Sequence, residues 1–461
     1  MQKRTVHILL FFLALFLALV AYILKDEPLS PAAEKALHYQ PSPVPPERNA
    51  FVGIAGLEAP AGGDFISAGK ENIRVNLVDT EGAAQKLIVP QYTDSCAKEI
   101  TENCLVEIRA DAQNIQSLLA ENSELILRYL RLQAMPEFSH SFAKTLRYGT
   151  MDFFPRYGNL LNLSRILSAR AVLDIQNGRI EEGLGFIERD MNFYRGILAS
   201  KDINLLDMMI AAATIRQHAN LLMLLLQEGR LSGQTDRVRA LLRPLDAPRE
   251  TFTNALWRER VYMIQSFREM SANLKKLTGT IDLDTGETQE GTYFDQLKFM
   301  LLFKPNMSLN LLDEIFTVEA DIINALAIDA LPAQRDVLWE KEIRSRVCAI
   351  PKDYSYCRHW KNYVGEVLVT IAQPDHVQYL LRIHDLDARL RLFRARLEFA
   401  RAAKNAPKAE APEAILARLG PETFNPYTGK PFERNPETGM IGFMPAADKT
   451  PKRVEVRLFP R

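Results

Sequence analysis

The chain has 461 residues, of which 47% are apolar and 25% are charged, and its 57 basic and 57 acidic residues balance. These values are typical of a globular protein with a sizeable core, and they exclude a disordered tail or a small scaffold that depends on disulfides. The balanced charge gives no electrostatic argument for nucleic acid, so no nucleic-acid partner is predicted.

An apolar stretch near the start of the chain predicts a membrane anchor. Val6 to Leu24 contains nineteen residues without a formal charge when His7 is neutral. A helix of this length spans roughly 28 Å, which is close to the thickness of the hydrocarbon core of a bilayer. Because no A-x-A cleavage pattern occurs between Ala18 and Leu24, a retained anchor is favoured over a cleaved signal peptide.

The charges on either side of this stretch predict its orientation. Lys3 and Arg4 precede it, whereas Lys25 is offset by Asp26 and Glu27. Positively charged flanks stay on the cytoplasmic side, so the N-terminus is predicted to be cytoplasmic. The rest of the chain is then extracytoplasmic, behind a single membrane span.

The four cysteines fall into two local pairs, Cys96 with Cys104 and Cys348 with Cys357. An even and clustered set is typical of an oxidising compartment, so two disulfides are predicted, although four cysteines allow three pairings. A metal site at Cys348, Cys357 and His359 is the alternative, but the gaps between these residues do not match the usual spacing of zinc ligands.

The first 48 residues are predicted to form two segments. Residues 1–25 form the cytoplasmic stub and anchor, and the Pro-rich residues 26–48 form a linker. An extended Pro-rich chain could hold the body up to roughly 60 Å from the bilayer.

Residues 49–111 are predicted to be a small β-containing segment. Ile73, Val75 and Leu77 alternate with polar residues, and short apolar runs follow at 87–89 and 105–108. Alternation with a period of two is typical of strands.

Residues 112–404 are predicted to be a helical body, because their apolar residues recur with a helical period. Its clearest feature is a hairpin from Leu160 to Ser200 that turns at Asn177 and Gly178. The apolar residues 203–226 contain Asp207 and Arg216 and are predicted to be a buried core helix rather than a second membrane span.

The polar stretch 277–293 is predicted to be a loop or a small hairpin. Asp282 and Asp284 offer a calcium loop as an alternative, but Thr285 occupies the position where such a loop needs an acidic or amide residue.

Residues 405–461 are predicted to be a linker and a strand-turn tail. The tail contains two N-P-x-T-G sequences, which begin at Asn425 and Asn435 and are each typical of a turn. The predicted fold is therefore mainly α: a multi-helical array of antiparallel αα hairpins with a small N-terminal β-containing segment and a short C-terminal β-hairpin region, behind one transmembrane helix.

The hairpin region resembles tetratricopeptide-type repeats. A helix rich in small residues, a turn at Gly178 and a helix start at Glu181 and Glu182 are shared with that family, which usually has alanine where Gly183 stands. A similar junction at Gly229 lies 51 residues after Gly178, whereas that repeat has a period of about 34 residues. The resemblance covers about 70 residues and implies a repeat-like helical array.

Three segments, 49–60, 304–310 and 425–429, also resemble uncharacterised, N-terminally membrane-anchored helical envelope proteins of Gram-negative bacteria. This resemblance would span most of the chain. It implies a protein of the bacterial inner membrane with a periplasmic body, and it implies no activity.

The sequence contains no complete motif for a hydrolase, a kinase or a nucleotide site, and no cofactor or metal is predicted. Glu137 and His140 form a single E-x-x-H, where a di-iron bundle needs two, so they are assigned to a capped helix start after Pro136. Four acidic residues of one predicted helix are assigned to solvated or salt-bridged positions: Asp313, Glu314, Glu319 and Asp321.

The Arg-rich helix at 376–404 is interpreted first as a solvated face. The alternative is a face formed by Arg389, Arg394 and Arg396 that binds an acidic partner or an anionic envelope polymer. Two functions follow from these observations. The first is an anchored interaction scaffold or accessory factor that binds an envelope protein. The second, disfavoured by the lack of motifs, is a hydrolase-like envelope enzyme with a carboxylate site.

Overall fold

The computed structural model shows a mainly helical chain with a small C-terminal sheet. It describes residues 2–75, 103–141, 156–272, 280, 281, 288, 289, 292, 299, 301–331, 341, 346, 360–372, 376–405, 410–447 and 452–458.

Sixteen α-helices lie in the described part of the chain. The first eight are α1 (Gln2–Leu24), α2 (Pro31–Leu37), α3 (Ala50–Ala55), α4 (Phe65–Val75), α5 (Asn103–Ala110), α6 (Ala112–Glu121), α7 (Ser123–Gln133) and α8 (Tyr157–Gln176). The other eight are α9 (Ile180–Leu198), α10 (Leu205–Gln227), α11 (Thr235–Leu241), α12 (Pro248–Ala272), α13 (Pro305–Ala325), α14 (Tyr363–Ala372), α15 (His376–Asn405) and α16 (Pro412–Ala417).

The strands form two antiparallel groups. β1 (Thr280–Ile281) pairs with β2 (Thr288–Gln289), as expected for a small hairpin in the polar stretch 277–293. β3 (Glu433–Arg434), β4 (Met440–Phe443) and β5 (Val454–Arg457) form a sheet in the order β3-β4-β5. A mainly α fold with a short C-terminal β region is therefore confirmed.

Both N-P-x-T-G sequences form the predicted turns. In each one the glycine N–H donates to the asparagine carbonyl at 2.9 Å, and the glycine, Gly429 or Gly439, has a φ near +65°. The side-chain oxygen of Asn425 or Asn435 also accepts the N–H two residues further on. The second turn joins β3 to β4, which pair as antiparallel strands.

The predicted hairpin between Leu160 and Ser200 is confirmed as α8 and α9. Gly178 has a φ of 86°, and the N–H of Arg179 donates to the carbonyl of Asp174 at 2.8 Å, which closes the end of α8 in a Schellman motif. A β-carbon at Gly183 would lie 2.4 Å from the carbonyl oxygen of Ala171. The two helices therefore pack too closely for the alanine that tetratricopeptide repeats usually have there.

The β-containing segment predicted for residues 49–111 is wrong for the residues described. The start of the alternating pattern lies in α4, and the run 105–108 lies in α5, while the run 87–89 lies outside the described residues. In α5 Leu105 and Ile108 are buried, whereas Val106 between them is 55% exposed. This spacing follows a helical period, which a run of four residues cannot reveal by itself.

Close contact between α3 and α4 explains why the second of these is helical. A β-carbon at Gly69 of α4 would lie 2.0 Å from the carbonyl oxygen of Val52, so the two backbones nearly touch. Phe65, Gly69 and Ile73 follow one another at intervals of four residues, and both apolar side chains are buried. Packing of this face overrides the alternation on which the strand prediction rested.

The extended spacer predicted for residues 26–48 is also wrong. Pro31 begins α2, as its fixed backbone angle favours, and Ser30 caps that helix by accepting the N–H of Ala33 at 3.0 Å. Ala33 and Ala36 are fully buried, and α2 packs against α12 and α13. The linker is therefore part of the body.

The apolar helix α1 is long and apolar enough to cross a membrane, and none of its stretch His7–Leu24 is buried in the protein. α10 passes the same test of length and composition, but most of it is buried. It packs between α9, α12 and α15, in agreement with the predicted core helix.

Candidate functional site

The three arginines of the predicted binding face do not share one open surface. Arg396 is only 8% exposed and donates to the carbonyl of Arg457 at 3.0 Å, and burial lowers the pKa of its guanidinium. Arg394 pairs with Glu422, and Arg389 donates to the side-chain oxygen of Asn220 at 3.0 Å. These three arginines of α15 therefore contact three different neighbours, and their binding of a partner stays a prediction.

Arg389 lines a cavity of about 400 Å³ between α10, α15 and the end of β4. Two further arginines, Arg216 and Arg382, line the same cavity and are exposed. We call this cavity the basic groove. Its remaining lining residues are Met209, Ala212 and Ala213 of α10, Asp385 and Leu386 of α15, and Phe443, Pro445 and Ala447 of the C-terminal segment.

The spacing of these residues explains how the groove forms. On α10 they stand at 209, 212, 213 and 216, and on α15 at 382, 385, 386 and 389, so each helix contributes a single face. Ala212 and Ala213 at the centre of the α10 face are small and leave space for the cavity. Arg216 lies at the end of this face, and Arg382 and Arg389 lie at the two ends of the α15 face. The pattern around Arg216 is visible in the sequence, but its pairing with α15 is not.

Asp385 connects the groove to the C-terminal segment. Its carboxylate accepts the N–H groups of Ala446 and Ala447 at 2.9 and 3.0 Å and the hydroxyl of Tyr427 at 2.7 Å. The pKa of Tyr427 is raised well above its usual range. Burial is the larger cause, and the charge of Asp385 is the second. Three arginines and one aspartate line the groove, so its lining carries a formal charge of +3 − 1 = +2.

A second cavity, of about 190 Å³, lies between α9 and α12. Its charged lining residues have both signs, since Arg195 and Lys201 are basic and Asp246 and Glu250 are acidic. Arg195 donates to the backbone carbonyls at the end of α11, and burial lowers the pKa of its guanidinium to about 10. This side chain therefore closes a helix end, which makes the smaller cavity a weaker candidate.

Among the described residues, three histidine–carboxylate pairs are buried, each with a nitrogen–oxygen distance of 2.6 Å. They are His140 with Asp207, His218 with Asp190, and His376 with Glu319. Neither of the two cavities above is lined by any of these six residues. The pairs therefore belong to the interior.

One set of contacts resembles a hydrolytic triad, because His218 lies between Ser168 and Asp190. The serine oxygen is 3.4 Å from one ring nitrogen of the histidine, and the other ring nitrogen contacts the aspartate. All three are fully buried, and the Ser168 hydroxyl donates to the carbonyl of Ser164 at 2.6 Å. Asp190 also accepts the hydroxyls of Ser164 and Tyr129. This arrangement is a polar network that joins α7, α8, α9 and α10.

Glu137 and His140 bind different partners. The predicted helix after Pro136 is wrong, because Glu137 lies in extended chain that pairs with Asn49. Its side chain contacts Arg48 at 2.8 Å, whereas His140 contacts Asp207. This stretch packs on the segment before α3. Its backbone hydrogen bonds to that segment replace the hydrogen bonds that a helix after Pro136 would form.

The acidic residues of α13 do not converge on one cleft. Asp313 pairs with Arg260, Glu314 contacts Arg346 at 3.0 Å, and Glu319 is buried against His376. Among the described residues, no group of three or more His, Cys, Asp or Glu side chains is arranged to hold a metal ion. The alternative ligands Cys348, Cys357, His359, Asp282 and Asp284 lie outside the described residues.

Cys104 is buried in α5, and it is not a free thiol. The other three cysteines, Cys96, Cys348 and Cys357, lie outside the described residues. The pairing of Cys96 with Cys104 and of Cys348 with Cys357 therefore stays a prediction.

No protein-family model, curated protein or solved structure matches the chain.

Proposed function

We propose that the protein is a membrane-anchored interaction protein whose body binds an acidic segment of a partner protein in the basic groove. The observation that supports this function is the convergence of Arg216, Arg382 and Arg389 on one cavity. The proposed setting is the bacterial cell envelope, with α1 in the inner membrane and the body in the periplasm.

The groove suits an acidic peptide segment in two ways. Guanidinium groups bind carboxylates through two parallel hydrogen bonds, and three of them line the groove. Met209 and Ala213, which are half-buried, add apolar surface that could contact the rest of such a segment. A partner with acidic side chains beside apolar ones would therefore match both kinds of lining.

Binding is favoured over catalysis, because the described residues that line the groove include no acid–base pair. Asp385, its one carboxylate, already accepts three hydrogen bonds from the C-terminal segment. The histidines that pair with carboxylates are buried elsewhere. The alternative of a hydrolase-like envelope enzyme has no comparable support.

The anchor and its orientation have separate support. The stretch His7–Leu24 is apolar and not covered by the body, as a membrane-spanning helix would be. Lys3 and Arg4 before it favour a cytoplasmic N-terminus.

Charge reversal in the groove tests this function in the full-length protein. Arg216→Glu with Arg382→Glu changes the formal charge of the lining from +2 to −2, since each substitution removes a positive charge and adds a negative one. Partners are crosslinked in native membranes, captured with the protein and identified. We expect the double variant to capture its principal partner at least about tenfold less, because two charge pairs of about 1 kcal/mol are lost and repulsion is added.

Arg401→Glu provides a matched control on the same helix. Arg401 is exposed and lies outside the groove, so its reversal changes the net charge of the protein without changing the lining. Equal capture by the double variant and the control would contradict the proposal. Crosslinks that map to a basic segment of the partner would contradict it as well.

A further inference from the structure

We propose that the body of the protein rests directly on the bilayer that α1 crosses, with Leu302, Trp360 and Lys361 inserted into the lipid headgroup region. The inference rests on the proposed function, because it requires that α1 spans a membrane. It adds a second lipid contact, made by the body itself.

The end of α1 lies a short distance from the body. α1 ends at Leu24, and the carboxylate of Asp26 accepts the N–H groups of Asn306 and Met307 at 2.8 and 3.2 Å. Two residues of extended chain span about 7 Å at most, and α13 then lies one aspartate side chain and one hydrogen bond further on. No spacer separates the two.

Further contacts fix this junction. The carboxylate of Glu27 accepts the side-chain N–H of Asn310 at 2.8 Å, and the N–H of Ser30 donates to the side-chain oxygen of Asn310 at 2.7 Å. Lys361 lies over the ring of Tyr22, at 5.2 Å from its centre. Residues both before and after the end of α1 therefore contact the body.

Two segments of the body meet at this junction, and each exposes a large apolar side chain. Trp360 is 56% exposed and Leu302 is 36% exposed. The buried side chain of Asn362 joins the segments, because its oxygen accepts the N–H of Lys304 at 2.7 Å. Trp360 and Leu302 thus stand on tethered backbone beside the end of the anchor.

The composition of this patch fits the boundary between lipid chains and headgroups. Tryptophan and tyrosine are enriched at that boundary, and lysine places its apolar stem beside lipid while its ammonium group reaches the phosphates. Trp360, Tyr22, Lys361 and the exposed Lys25 provide these residue types beside one end of a membrane-spanning helix. Exposed apolar side chains next to the end of a membrane-spanning helix are well placed to contact the lipid that surrounds that helix.

Tryptophan fluorescence in vesicles tests the contact. The full-length protein with Trp257→Phe and Trp339→Phe retains Trp360 alone and is reconstituted into vesicles of phosphatidylethanolamine and phosphatidylglycerol, with or without lipids brominated near the headgroup. We expect the brominated lipid to reduce the fluorescence of Trp360 at least about twofold, because quenching needs near contact with the bromine atoms. Trp257, retained alone in a matched protein, packs against Tyr39 in the body and should lose far less.

The outcomes separate this inference from the proposed function. If the protein floats with the vesicles while Trp360 is quenched no more than Trp257, the anchor holds and the lipid contact of the body is wrong. If the protein does not float with the vesicles, the anchor itself is wrong, and the inference falls with it. Should the double substitution prevent folding, the difference in quenching between the unmodified protein and Trp360→Phe decides the same question.

Discussion

The carboxylate of Asp26 accepts the backbone N–H of Asn306 at 2.8 Å, although the two residues are 280 positions apart in the chain. Lys304, which precedes α13, gives that helix no side-chain cap, so Asp26 supplies one from a distant part of the sequence. A negative charge at the start of a helix is also favoured by the helix dipole. The residues after the apolar helix are thereby fixed to the body.

Asp26→Ala should lower the free energy of unfolding of the full-length protein in detergent by about 1 to 2 kcal/mol, the usual cost of a lost helix cap. Asp26→Asn should cost less, because asparagine keeps an oxygen that can accept the same N–H groups. Denaturant unfolding followed by circular dichroism measures both. If the alanine and asparagine variants are as stable as the unmodified protein, Asp26 is not the cap of α13.

Gly183→Ala should destabilise the α8–α9 hairpin. The added β-carbon would meet the Ala171 carbonyl at 2.4 Å, and the resulting strain of about 1 to 3 kcal/mol outweighs the gain in helix propensity. Gly185→Ala, two residues further along α9, is the matched control. Its added β-carbon would lie 3.7 Å from the nearest side-chain atoms, so the substitution should stabilise the helix by up to about 1 kcal/mol. Unfolding midpoints that move in the same direction for both variants would contradict this packing.

His384 should make the protein less stable in mild acid. Burial lowers its pKa from 6.5 to about 4, and the charges of Arg249 and Arg391 act in the same direction. Between these two pH values the unfolded chain binds a proton that the folded protein does not. The free energy of unfolding should therefore fall by about 1.4 kcal/mol per pH unit as the pH is lowered through this range, and His384 should have no such effect above it.

His384→Leu tests this dependence, because leucine cannot titrate. Relative to the unmodified protein, the variant should gain stability as the pH falls from 6.5 to 4. Denaturant unfolding at several pH values gives the difference between the two proteins. Parallel losses of stability in both over this range would show that His384 does not contribute.

Asp190→Ala should destabilise the body by about 3 to 5 kcal/mol, because it leaves several buried groups without their acceptor. His218, Ser164 and Tyr129 each contact this carboxylate at 2.6 Å. Ser168→Ala removes a weaker contact of the same network, so its cost should be about 1 kcal/mol or less. If both variants have the same stability, the network is not a structural element of the core.

Local signals in the sequence predicted much of the fold. The turn at Asn177 and Gly178 and the turns at Asn425 and Asn435 depend on residues that stand next to one another in the chain. Their geometry is set by hydrogen bonds within about six residues, so their residue types are sufficient to identify them. The helical period of the body is equally local.

Contacts between distant residues explain what the sequence could not predict. The prolines of residues 26–48 favour turns and extended chain, which is typical of a spacer. In the structure, however, Asp26 and Ser30 bind to α13, about 280 residues away. The basic groove similarly depends on α10 meeting α15, as in the contact of Arg389 with Asn220. A single sequence shows the residue types on each helix but not which helices are neighbours.

Photo-crosslinking from within the groove tests the proposed partner site most directly. A photoreactive residue at position 213, between Ala212 and Arg216, reports what occupies the groove of the full-length protein in its native membrane. We expect one principal adduct whose crosslinked segment is acidic. This adduct should be lost when Arg382→Glu is added and kept with Arg401→Glu. Adducts that are absent, or that persist unchanged after Arg382→Glu, would contradict the proposed partner site.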